Sequence, residues 1–228
     1  MSEAEDDKRY SWVMRAAPLF AGALMIGFVL LGTHQDGSRT GVSSTDSADK
    51  VLAYFRAHTS AGGSGAFSLL LAAVFGLFFY GLVRERLVRS GRSEWLATVG
   101  FGGGVLLAVA ALLEAGVDFA FNDLGTHLDA TTAQILNVLQ SDLKQMLLIG
   151  GLTVLMVGFG LALLRSGPYR WLGWPTVVTG IFASAGPLID LAIRLEGAWI
   201  LVIGVVLLTD GGGQSTSSGV LASQAGVI

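Results

Sequence analysis

The chain has 228 residues, 52% hydrophobic and only 14% charged, with 32 glycines, no cysteine and a net charge of −3. Its mean hydropathy is +0.64, and soluble domains carry about 25% charge, so lipid is the expected solvent. Disulfide and thiol chemistry are excluded by the missing cysteine, and so small and scattered a charge excludes a nucleic-acid partner.

Residues 1–15 are acidic and then basic, and read as a cytoplasmic N-terminal segment. The first apolar stretch, Ala16–Gly32, runs into Thr33-His34-Gln35-Asp36 without a small-x-small cleavage pattern, so it reads as a retained anchor. An outer amphipathic segment is predicted near 47–58, with Val51, Leu52 and Phe55 on one helical face. Ala66–Val83 follows, then a connection with Arg84, Arg86, Arg89 and Arg92, then Ala97–Leu113. A second outer amphipathic segment is predicted near 129–143. Asp129 is its N-cap, and Ile135, Leu136, Leu139 and Leu143 share a face. Both segments are expected to lie along the outer membrane surface.

Met146–Leu164 and Trp171–Ile189 complete five stretches that approach the roughly 20 residues needed to cross hydrocarbon. Pro175 suits the first turn of the last of these, and Pro187 should loosen its outer end. The sixth stretch, Ala198–Leu208, covers only about 17 Å as a helix. Arg194 and Glu196 stand in the way of extending it, and without it the C-terminus would lie outside. Residues 211–228 are rich in Gly, Ser and Thr and read as a disordered tail.

Helices satisfy their own backbone polar groups in lipid. The expected fold is therefore all-α, a polytopic transmembrane bundle of about six spans over residues 16–210. Threading it with the N-terminus inside places nine of the 14 basic residues in cytoplasmic segments. The four-arginine connection fixes that side, and both termini are then cytoplasmic, in a bacterial plasma membrane.

Arg-Ser-Gly, three free positions and Trp-Leu occur twice, as RSGRSEWL at 89–96 and RSGPYRWL at 165–172. The same offset pairs Gly104 with Gly180, Leu112 with Leu188 and Glu114 with Asp190. Two positive-inside hairpins would converge on such loop chemistry. The alternative is duplication of a two-span hairpin, with copies related by an axis along the membrane normal.

Few polar residues invite a functional reading. Glu114 and Asp118 are one turn apart, as are Asp190 and Arg194, and Lys144 opens the fourth span. Trp95 to Glu114 and Trp171 to Asp190 are nineteen residues each, about 28 Å of rise, which places both carboxylates near the outer edge. Carboxylates there reach water at small cost, so ordinary rim chemistry is the expected reading. The alternative is an acidic outer vestibule for a cation or proton, built from Glu114, Asp118, Asp190, Arg194 and Lys144. No spacing of His and carboxylates resembles a metal site. Ser64 and Ser68 have no base beside them in their layer, so no catalytic residue and no cofactor is expected. The glycines at 100, 102, 103 and 104, and pairs such as Ala23/Gly27 and Ala72/Gly76, read as surfaces for close helix packing.

The run from Leu128 through Ala133-Gln134-Ile135-Leu136, the fourth span, and RSGPYRWLGWPTVVTG resembles a family of multi-pass bacterial membrane proteins known only as a domain of unknown function. Pro168 sits one residue earlier than that family's Pro-Arg-Trp spacing, with Tyr169 between. The resemblance covers the second half of the chain; it implies a six-helix bundle and carries over no catalytic residue.

The expected function is that of a non-enzymatic integral membrane protein with a structural or accessory role. Its partners would be the lipid bilayer and, within it, copies of itself or other chains. A small-solute or cation transporter is the alternative, to be distinguished by a polar cavity descending from the acidic rim.

Overall fold

The computed structural model describes residues 16–31, 42–89, 94–124, 127–167, 169–185 and 188–210. The predicted terminal segments 1–15 and 211–228 lie outside them, as do Arg92, Pro168 and Pro187. Six helices run through the described residues, without a strand among them: α1 (Ala16–Leu31), α2 (Ala48–Arg89), α3 (Glu94–Leu124), α4 (Ala130–Arg165), α5 (Arg170–Ser184) and α6 (Ile189–Asp210). The fold is all-α, and four stretches are long and apolar enough to cross a membrane: Ser64–Arg89, Glu94–Leu124, Ala130–Arg165 and Leu191–Thr209. α1 and α5 are shorter.

Three expectations are corrected. The stretch Trp171–Ile189 is not one helix, because α5 ends at Ser184 and α6 begins at Ile189. The last apolar segment is not short. α6 has 22 residues, about 33 Å of rise, because Glu196 is buried on its inner face and does not interrupt it. The amphipathic segments, finally, are not separate elements. They are the first turns of α2 and α4, which at 42 and 36 residues rise about 63 and 54 Å, well past a ~30 Å hydrocarbon layer.

These extensions and the end of α3 pack on one another as a helical head. Val51, Phe121, Leu128 and Ala133 are its buried core, with Val42, Leu52, Phe55 and Leu136 against them. Phe55 stacks on Phe121 at 3.5 Å between centroids. The predicted face of α2 is therefore the packed one. On α4 only Leu136 packs inward; Ile135, Leu139 and Leu143 are exposed, and Ala133, Asn137 and Gln140 are buried instead. The reason is polar: Asn137 Nδ2 donates to Ser43 O and Gln134 Nε2 to Ser44 O, tying residues 43–44 to α4. Asp129 caps α4 as expected, accepting from Thr132 N at 2.8 Å. That bond holds the Asp129 carboxyl below the usual carboxylate range.

Within the bundle α4 lies between α3 and α5, and each contact keeps one antiparallel register. Along α3 and α4, Gly100 faces Gly158, Gly103 faces Leu155, and Gly151 faces Leu107. Glu114 faces Lys144 and Asp118 faces Gln140 in continuation. Along α4 and α5, Gly160 meets Val177, Leu164 meets Gly173, and Val157 meets Gly180. A Cβ on Gly100 would lie 2.5 Å from the Phe159 ring and one on Gly173 2.5 Å from Leu164. Glycine lets these backbones approach where lipid supplies no hydrophobic drive between helices. Not every small residue serves this end, since Gly27, Gly102 and Gly150 face open space.

At the opposite end from the head, α1 closes on α6, with Gly22 against Ile200 and Gly204 against Leu19. Phe79, Phe159 and Trp199 fill the centre there; Trp199 packs edge-on to Phe79 and stacks on Phe159. Trp199 Nε1 donates to Thr176 Oγ1 on α5, and that hydroxyl donates to Leu172 O. This end also carries Arg84, Arg86, Arg89, Arg165 and Arg170, with Trp95, Trp171 and Trp174 exposed. It is called the arginine end below.

The α3–α4 register generates a prediction. Gly103→Ala drives a methyl into the Leu155 backbone and lowers unfolding stability by about 1–3 kcal/mol, the usual cost of overpacking. Gly102→Ala, one position away in open space, costs no stability and gains up to about 1 kcal/mol through helix propensity. Denaturant titration of both variants in micelles reads the contrast.

Candidate functional site

The α3–α4 register decides what the acidic rim does. Glu114 and Asp118 lie one turn apart on α3, and Gln140 and Lys144 one turn apart on α4. The antiparallel pairing brings Lys144 Nζ to 3.2 Å from Glu114 Oε1, and Gln140 Nε2 to 3.3 Å from Asp118 Oδ1. Asp118 and Gln140 are buried, Glu114 and Lys144 partly so. Lys144 therefore neutralises Glu114, as its place in the sequence suggests. Arg194 is exposed. Asp190 occupies the first turn of α6, but its side chain lies outside the described residues. The structure thus unites Glu114, Asp118 and Lys144 and gives no contact between them and Arg194. Asn122, Asp123 and His127 are exposed in the head.

The group that sequence reasoning passed over is Glu196. In the sequence it reads only as an obstacle to a sixth span. In the structure Glu196 is buried, and Tyr80 Oη donates to its Oε1 at 2.7 Å. Tyr80 lies about 14 Å of rise from Arg89 and Glu196 about 20 Å from Thr209, so the pair sits well inside the apolar layer. The signal was present in the spacing. Ala192, Glu196, Trp199, Ile203 and Leu207 recur every three or four residues, and all are buried. Glu196 is on the inward face by periodicity.

Local packing holds the pair in place. Tyr80 is packed against α3 through a missing side chain: a Cβ on Gly104 would meet its ring at 2.5 Å. On the arginine side, Phe79, Val83, Trp199 and Ile200 are buried and close the bundle. On the head side the helices part around a cavity of about 430 Å³. α1, α2, α3, α4 and α6 all line it. Tyr80 and Glu196 line its end nearer the middle of the spans, the deep end below, and Glu114 and Lys144 line it nearer the head. Most of the remaining wall is alkyl, including Met25, Leu69, Ala72 and Leu107.

Chemically this is an apolar chamber with two carboxylates, one ammonium and one phenol. Among the described residues no group of three or more His, Cys, Asp or Glu is placed to hold a metal ion. The chain matches no family model, no curated protein and no solved structure.

The rim pair has a measurable consequence. Lys144→Met removes the ammonium beside the partly buried Glu114 carboxylate and lowers stability by about 1–2 kcal/mol, and Glu114→Gln in the same chain restores most of the loss. A double-mutant cycle on unfolding free energy reads the coupling; additive losses would dissolve the pair.

Proposed function

We propose that this chain is a non-enzymatic integral membrane protein that admits a small ligand into an intramembrane cavity, as a small-solute or cation carrier does. The cavity between Glu196–Tyr80 and Glu114–Lys144 carries this reading. A bundle with a purely structural role gains nothing from a buried carboxylate in a hollow. Ionisable groups inside apolar spans are costly, and they mark ligand or ion pathways. Concave, mostly apolar sites with a few convergent polar groups are where small ligands bind.

In this reading α1 and α5 are the two shorter crossings of a six-span bundle in a plasma membrane. Both termini then face the cytoplasm. The gathering of arginines and exposed tryptophans at one end supports that orientation, and the cavity then opens toward the outside. The two hairpins are read as a duplication, and their matching packing supports this. Trp95 and Trp171 are exposed while the next residues, Leu96 and Leu172, are buried. Gly104 packs on Tyr80, and Gly180 packs on Met156, which is Tyr80's counterpart at the same offset. Arg165 of the second copy lies over the Trp95 ring of the first, 5.9 Å from its centroid. The six-helix family resemblance belongs to the same proposal.

An accessory role through contacts with other chains is the second reading. Exposed Ile135, Leu139 and Met146 on the head side of α4 favour it.

The natural chain has no cysteine, so single-cysteine labelling tests the carrier reading cleanly. Ala111→Cys, on the cavity wall, reacts with a small membrane-impermeant thiol reagent added outside intact cells. Val109→Cys, exposed on the outer face of α3, does not, and neither does Ser90→Cys in the arginine connection. An unreactive Ala111→Cys means a sealed bundle and returns the structural role. A reactive Ser90→Cys reverses the threading.

A further inference from the structure

We propose that the cavity selects an amphipathic monocation, a compact ammonium-type ion carrying an apolar body, with its positive centre beside Glu196. This rests on the carrier reading above and names the ligand class for the same site.

The charged groups on the cavity wall are Glu114, Glu196 and Lys144. At the rim Lys144 stands against Glu114. At the deep end Glu196 meets the Tyr80 phenol, and a buried carboxyl ionises at least cost with a cation beside it. A cationic ligand supplies that partner, whereas an anion would be repelled by the ionised form.

A bare metal cation fares no better. It needs several oxygen ligands to replace its hydration shell, and the deep end offers one carboxylate and one phenol among alkyl walls. An organic monocation meets both demands. Its apolar body replaces water along Met25, Ala72 and Leu107. Its charge pairs with Glu196 in the ionised form, an attraction far stronger in low dielectric than in water. Tyr80 acts as a positioning residue. Its hydroxyl holds one carboxylate oxygen at 2.7 Å, and its ring lies directly against Gly104.

Equilibrium dialysis of the full chain in micelles, corrected with empty micelles, tests this using two isosteres. Benzyltrimethylammonium carries the charge; neopentylbenzene has carbon in place of its nitrogen and is neutral. The wild type binds the cation roughly tenfold or more tighter than the neutral probe, the order expected for one charge-assisted contact. Glu196→Gln removes that preference and leaves neopentylbenzene binding unchanged. Glu196→Asp, which keeps the charge but withdraws it by one methylene, retains the preference in weakened form. The two wild-type affinities decide the matter even where Glu196→Gln does not insert. Equal binding of both probes overturns the cation assignment while leaving the cavity reading in place. Binding of neither probe overturns both.

Discussion

A single hydrogen bond, from the Tyr80 hydroxyl to the Glu196 carboxylate, is the contact around which the middle of this bundle is arranged. Moving an ionised carboxylate from water into an apolar interior costs several kcal/mol even after relaxation. One phenol donor recovers only part of that, about 1.5–3 kcal/mol for a bond to a charged group. The residue is thus kept where stability alone would replace it with leucine. The surroundings are built to hold it. Gly104 leaves space for the tyrosine ring, and Phe79, Trp199 and Ile200 seal the layer toward the arginine end.

The cavity follows from uneven helix spacing. α3, α4 and α5 are closed along their shared lengths by glycines whose replacement would collide with the neighbouring backbone. α1 closes on α6 through Gly22 and Gly204, but only at the arginine end. Toward the head, α1, α2, α3 and α6 leave space between Met25, Leu107 and Ile193. A tight seam on one side and open space on the other produce the chamber. Its ionisable groups are then divided along its length, the Glu114–Lys144 pair toward the head and Glu196 with Tyr80 toward the middle of the spans.

Much of this was legible in the sequence. Long apolar runs announced the helices, and Asp129 announced the start of α4. Gly100 and Gly103 announced a close interface because helix association in lipid rests on small residues. The pairing of Lys144 with Glu114 follows once two adjacent helices are antiparallel. What could not be read were the ends of elements and the direction of faces. Periodicity does not distinguish a surface-lying amphipathic segment from an extension that packs on its neighbours, so the head was missed. Ile135, Leu139 and Leu143 formed a convincing apolar stripe, yet Asn137 and Gln140 turn inward because backbone carbonyls and Asp118 need donors. Glu196 was overlooked for a related reason. Hydropathy counts a charge as an interruption, whereas a charge on the buried face of a helix is a placement.

The central claim is that Glu196 is held inside the bundle by Tyr80. The most direct measurement is a double-mutant cycle of Tyr80→Phe and Glu196→Gln, read as unfolding free energy in micelles. A coupling of about 1–2 kcal/mol between the two sites, 116 positions apart in the chain, is the predicted result. Losses that add to within roughly 0.5 kcal/mol would mean the two groups do not meet. The carboxylate would then have no anchor, and the chamber no defined floor.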